Sequence, residues 1–111
     1  MEQKQPIGIF DSGIGGLTVA KAISALLPYE QIIYFGDTAH FPYGDKSKES
    51  IQNYSKEIST FLLKQNCKAI VVACNTASSL ASSFLKLILP KDFPLIDVIV
   101  PVANFLQTSD Y

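Results

Sequence analysis

Short apolar runs alternate with helix-length amphipathic stretches along the whole chain, and that alternation leaves few folds open. Ile7-Gly-Ile-Phe-Asp11, Gln31-Ile-Ile-Tyr-Phe35, Ala69 to Cys74 and Leu95-Ile-Asp-Val-Ile-Val100 are runs of strand length. The third is continuously apolar and rich in β-branched residues, as a strand buried on both faces would be. Between the first two, the spacing of Leu17, Ala20, Ile23 and Leu27 predicts a helix that Pro28 stops. Ser47 can cap a second helix, in which Ile51, Tyr54, Ile58, Phe61 and Leu62 mark a core face through to about Gln65. Lys56, Glu57 and Lys64 form its polar face. A third helix is expected from about Thr76 to Leu89, ahead of Pro90, with Leu80, Phe84, Leu87 and Ile88 turned inward. Asn75 and Thr76 are its N-cap candidates.

The order βαβαβαβ, with helix-length connections, predicts an α/β fold. Its parallel sheet would have right-handed crossovers and helices on both faces, a three-layer sandwich. A chain of 111 residues is enough for one such domain. Val102 to Tyr111 look like a helix cut short, so the domain is expected to be the first half of something longer.

Composition removes several function classes. At 48% hydrophobic and 17% charged residues the chain can build a core. It contains no arginine, the usual reader of phosphates and guanine edges, so nucleic acid is not an expected partner. No apolar run is long enough to cross a bilayer, and Met1 to Pro6 lack the apolar region of a signal peptide. Two cysteines fit a reducing compartment, and their separation of seven positions is not metal-like. The expectations are a cytoplasmic location, no membrane partner and no metal.

In a parallel sheet all strands end on one rim. Asp11-Ser12, Asp37-Thr38 and Cys74-Asn75-Thr76 would therefore converge there, and in open α/β sheets that rim binds ligands. Cys74 stands where a buried strand gives way to a helix. The free N–H groups and the dipole of that helix start would favour negative charge and hold an anionic ligand nearby. Gly13-Ile-Gly15-Gly16 fits neither a P-loop nor the G-x-G-x-x-G spacing, and a tight strand-to-helix turn would explain it equally well. Cys67 lies just before the third strand and reads as packing. His40, the only histidine, sits in an aromatic loop and reads as loop-stabilising or solvent-facing. Asp45 reads as a turn residue and Asp97 as a polar residue on a strand face.

Phe10-Asp-Ser-Gly-Ile-Gly-Gly-Leu-Thr18, Tyr34-Phe-Gly-Asp-Thr38, Pro42-Tyr-Gly44 and Val72-Ala-Cys-Asn-Thr-Ala77 resemble, in order and spacing, the motifs of glutamate racemase. The wider aspartate/glutamate racemase superfamily shares the Cys-Asn-Thr element. The resemblance implies a cofactor-independent enzyme that interconverts L- and D-glutamate for peptidoglycan synthesis and works as a homodimer. It also implies two cysteines that flank the substrate α-carbon, one removing a proton and the other delivering one. Cys74 matches the first of these. Asp11 and Ser12 match substrate-contacting positions, with Asp11 assisting the cysteine or the substrate ammonium. Tyr43-Gly44 and Asn75-Thr76 match positions that hold the substrate's carboxylates and amine.

Members of that family are longer and built from two similar α/β domains, with the second cysteine in the second domain. Cys67 cannot replace it, because a strand of about 20 Å separates it from Cys74, at about 3.3 Å per residue. The chain is thus expected to be half of a two-domain racemase fold, inactive as a racemase on its own. The residues leave open an aspartate-type racemase of the same superfamily, a non-catalytic ligand-binding or interaction domain, and a cysteine-dependent hydrolase.

Overall fold

Four strands pair in the order β2-β1-β3-β4 in the computed structural model, which describes residues 5–13 and 16–97. They are β1 (Ile7–Asp11), β2 (Ile32–Gly36), β3 (Ala69–Val72) and β4 (Leu95–Asp97). All three pairings are parallel; Ile9 lies opposite Tyr34 on one side and Val71 on the other. The helices are α1 (Gly16–Leu26), α2 (Lys48–Lys64) and α3 (Asn75–Ile88). Two single 3-10 turns, Thr38–His40 and Tyr43–Asp45, fill the connection between β2 and α2. The expected end of the last strand and the helix after it lie outside the described residues.

The period of two along a strand sorts the core into two layers. Ile7 and Ile9 of β1 pack with Val71 of β3 and with Ala20 and Ile23 of α1. Phe10, Ile70 and Val72 face the other way, against Ile51, Ile58 and Leu62 of α2 and Ala77, Ala81 and Leu85 of α3. The three-layer α/β sandwich expected from the sequence is therefore present. The strand order explains it: β1 leads outward to β2 in one direction, while the chain returns to β3 on the other side of β1, as right-handed crossovers on opposite faces would require.

Local signals set the helix ends. Ser47 Oγ accepts the N–H of Ser50 at 3.1 Å, and Ile51 N donates to Ser47 O at 3.0 Å. At the other end of α2, Asn66 takes a left-handed φ of 67°. Cys67 N then donates to Leu62 O at 3.2 Å and Asn66 N to Leu63 O at 2.9 Å, the paired bonds of a Schellman stop. Cys67 accordingly packs against Leu62, and its Sγ would lie 3.1 Å from a Cβ added at Gly8. Its expected role as packing is what the structure shows.

Three expectations need correction. The third strand stops at Val72 rather than Cys74, and the helix after it begins at Asn75 with Cys74 as its N-cap. Ladder bonding to β1 continues one residue further, through Ala73 N to Phe10 O at 2.8 Å, and then the backbone turns. The inward face of α3 is also rotated: Ala77, Ser78, Ala81, Ser82 and Leu85 are buried, Leu80 and Phe84 are half-buried, and Leu87 is 84% exposed. Small side chains let α3 lie close against α2 and the sheet, so the leucines were displaced to the flank. Leu17 of α1 and Leu27 just beyond its end are exposed, because the helix packs chiefly on β1 and β2. Beside it runs an apolar groove of about 640 Å³, lined by Val19, Ile23 and Leu26 on one side and Val71 and Ile96 on the other.

Candidate active site

The helices that follow β1 and β3 leave toward opposite faces of the sheet. Between neighbouring strands with that property a crevice opens beyond their C-terminal ends, and ligands of open α/β folds bind there. In this chain the residues at that point are Asp11-Ser12 after β1 and Cys74-Asn75 after β3. Asp37 N donates to Asp11 O at 2.9 Å, which ties the end of β2 to the same rim.

Asp11 is 1% exposed, and its Oδ2 accepts three hydrogen bonds. Gly16 N donates at 3.0 Å, Gly13 N at 3.3 Å and Tyr34 Oη at 3.0 Å. Gly16 is the first residue of α1, so the carboxylate occupies the positive end of that helix. Burial, the bond to Asp11 and its charge, in that order, push the Tyr34 phenol above its ordinary value. Two of the glycines are required for this arrangement. Gly13 has a φ of 131°, a conformation side chains avoid. A Cβ at Gly16 would lie 2.6 Å from Asp11 Cγ, well inside contact distance. The glycine segment is thus a tight turn and a cradle for a carboxylate at once.

Cys74 is 8% exposed and is a free thiol. Its carbonyl accepts Ser78 N at 2.8 Å, while its side chain makes no capping bond. Ser78 Oγ donates to Val72 O at 3.1 Å and locks the first turn of α3 onto the end of β3. Cys74 belongs to the same buried cluster as Phe10, Tyr43 and Ala77. Asn75 is exposed and Thr76 half-buried, both in the first turn of α3. Ser12 is buried next to Asp11, and Gly44 is exposed. Tyr43 is 2% exposed, and its hydroxyl donates to Asp37 Oδ2 at 2.6 Å. Burial raises the Tyr43 phenol far above its usual range; the bond to Asp37 and the charges of Asp37, Cys74 and Asp11 add to it.

No protein-family model matches the chain. Individual proteins do. A glutamate racemase of Syntrophus aciditrophicus is 50% identical over 94 residues, 85% of this chain and 34% of that protein. One of Thermus thermophilus is 60% identical over 80 residues, 72% of this chain and 31% of that protein. The chain matches the N-terminal third of glutamate racemases. Solved glutamate racemases have the same fold. That of Thermus thermophilus in complex with beta-chloro-D-alanine superposes with a TM-score of 0.87 at 51% identity, covering 95% of this chain and 40% of that one. That of Francisella tularensis in complex with D-glutamate gives 0.88 at 46% identity, covering 96% and 40%.

The sequence motifs place Asp11, Ser12, Cys74, Asn75 and Thr76 on one rim, and in the structure these positions stand at or just beyond the C-terminal ends of the adjacent strands β1 and β3. Cys67 stands at the opposite end of β3, behind Gly8. Tyr34, Tyr54 and His40 were given no place in the site. Tyr34 could have been found from the register, because Tyr34 pairs with Ile9 and its side chain shares the face of Asp11. His40 Nδ1 lies 2.9 Å from both Asp37 oxygens and its ring stacks on Tyr54 at 3.7 Å, so its loop-stabilising reading is what the structure shows. Among the described residues no group of three or more His, Cys, Asp or Glu could hold a metal ion, and no helix is long and apolar enough to cross a membrane.

Proposed function

We propose that this chain is the N-terminal part of a cofactor-independent glutamate racemase and that Cys74 is one of its two acid/base thiols. The observation that carries the reading is the placement of Cys74 at the crevice between β1 and β3, on the same rim as Asp11 and Ser12. The chain spans about a third of the length of the curated relatives it matches, so the remaining parts of the site are assigned to a second domain.

In this reading the substrate α-carboxylate is held by Asn75, Thr76 and the N–H groups that open α3. Asp11, fixed by three donors, faces the substrate ammonium, and Ser12 adds a hydroxyl. Tyr43-Gly44 hold the second carboxylate. The Cys74 thiolate takes the α-proton and becomes a thiol, leaving a carbanion conjugated with the carboxylate. A thiol from the second domain then gives its proton to the opposite face and becomes a thiolate. Fixed N–H donors around the carboxylate supply stabilisation that an electron-sink cofactor would otherwise give. The D-glutamate would serve peptidoglycan synthesis in the cytoplasm, and the family resemblance supports a homodimer.

The test is α-proton exchange in D₂O, followed by NMR with L- and D-glutamate supplied separately. Exchange from one enantiomer, absent in Cys74→Ser, is the expected result, with no net racemisation by the chain alone. The same assay is then run with the C-terminal remainder of the Thermus thermophilus relative added. Silence toward both enantiomers in both settings would overturn the proposal.

A further inference from the structure

The segment that carries Tyr43 and Gly44 is too short on regular structure to hold itself, consisting of one 3-10 turn next to another. One buried carboxylate holds it. Asp37, 6% exposed, accepts from Tyr43 Oη on one side and contacts His40 Nδ1 with both oxygens on the other. His40 is itself clamped: its ring lies 13° from parallel to Tyr54 of α2, and Tyr54 also packs on Tyr43 with centroids 5.9 Å apart. A carboxylate only accepts hydrogen bonds, so Tyr43 must donate its hydroxyl proton and His40 must carry its proton on Nδ1.

This has a consequence for the substrate. The Tyr43 hydroxyl proton is committed to Asp37, so the phenol has none to offer a carboxylate. What the segment can present is its backbone. Gly44 faces open space, with nothing within 4 Å of a Cβ built there. Through its own N–H to Asp11 O, Asp37 also keeps that backbone in register with the rim where Cys74 lies.

We propose that Asp37, gripped between His40 and Tyr43, is a positioning residue that fixes the Tyr43–Gly44 backbone as a seat for a substrate carboxylate. Asp37 touches no substrate; it acts through Tyr43. What the seat receives rests on the racemase reading, whereas what holds the seat rests on the geometry alone.

The experiment is ¹⁵N NMR of this chain, wild type, Tyr43→Phe and Asp37→Ala, with and without glutamate. In the wild type the His40 ring should show the Nδ1–H tautomer and the Gly44 amide should be rigid. Tyr43→Phe removes one oxygen and keeps the ring. It should leave the chain folded but drop the Gly44 order parameter from about 0.85 to below about 0.6. Glutamate binding should weaken about tenfold, as for loss of one hydrogen bond to a charged group. Asp37→Ala should do the same and also abolish the Nδ1–H preference of His40. If Asp37→Ala fails to fold, Tyr43→Phe decides alone. A Gly44 amide that stays rigid in Tyr43→Phe, with glutamate affinity unchanged, overturns the proposal. A wild-type chain whose Gly44 amide ignores glutamate overturns the racemase reading of the seat. Loosening of Gly44 in Tyr43→Phe would then still support the clamp, and unchanged rigidity would overturn both.

Discussion

The two rims of the sheet are made from similar residues and have opposite characters. Each has a buried cysteine on the same side of β3's neighbourhood, each has a glycine where another side chain presses in, and each has a carboxylate. At the N-terminal rim, Cys67 closes a helix stop, Gly8 makes room for Leu62, and Glu30 meets Lys68 at 2.6 Å in a partly exposed ion pair. Such a pair contributes little. At the C-terminal rim, Gly16 makes room for a buried carboxylate, Asp11 and Asp37 are each satisfied by side-chain hydroxyls, and Cys74 opens a helix. The difference is one of chain polarity. A parallel sheet turns every strand end toward one rim, where loops start and helix N–H groups point. The other rim receives helix ends and has only packing to do.

The widest gap between the rims should be chemical. Cys74→Ala should remove α-proton exchange below detection, while Cys67→Ala should leave exchange intact and lower stability by about 1–2 kcal/mol in urea melts. Burial pushes the Cys67 thiol up, so at neutral pH it should also be alkylated only as fast as the chain unfolds, which mass mapping of iodoacetamide adducts would read. Equal effects of the two alanine variants on exchange would erase the contrast.

The glycines come next. Gly16→Ala drives a Cβ into Asp11 beside the rigid start of α1, and should cost about 3 kcal/mol. Gly8→Ala meets the ends of Leu62 and Cys67 at 3.0 and 3.1 Å, which can move, and should cost about 1 kcal/mol in the same melts.

Tyr43 sharpens the comparison through pH. Its folded phenol is raised, so above the ordinary value of 10.0 the unfolded state loses its proton first and the folded state keeps it. Stability therefore falls with rising pH in that window, by up to about 1.4 kcal/mol per unit, and is unaffected by this group below it. Tyr43→Phe should flatten the slope of alkaline urea titrations above pH 10.0. An unchanged slope would mean that the phenol is not held as described.

The smallest effect belongs to neither rim. Ser55, Ser59 and Ser82, on the buried faces of α2 and α3, bury hydroxyls that lack a partner among the described residues. Ser59→Ala should be neutral or stabilising by about 0.5 kcal/mol, since it removes an unpaired polar atom and favours the helix. A thermal melt would show it.

The residues that speak through backbone rules were legible in the sequence. Pro28 and Pro90 ended their helices, Ser47 capped one, and the alternation of runs fixed a parallel sheet whose rim collects Asp11, Ser12 and Cys74. What was not legible depends on neighbours distant in sequence. The packing face of α3 is made of Ala and Ser, which carry little apolar signal of their own and are selected by the closeness of α2. Cys74 as an N-cap follows from where pairing with β1 stops, not from any preference of cysteine. The grip of His40 and Tyr43 on Asp37 needs side-chain geometry across a loop, and Tyr54 enters it from another helix.

The apolar groove between α1 and the β3–β4 side of the sheet has a calorimetric consequence. Apolar surface already wet in the folded chain adds nothing to the heat-capacity increment of unfolding, because its hydration does not change. The increment should fall below the usual value of about 12–15 cal/mol/K per residue. A smaller increment broadens the dome of free energy against temperature. Apolar surface left in water makes what stability a fold has less sensitive to cooling.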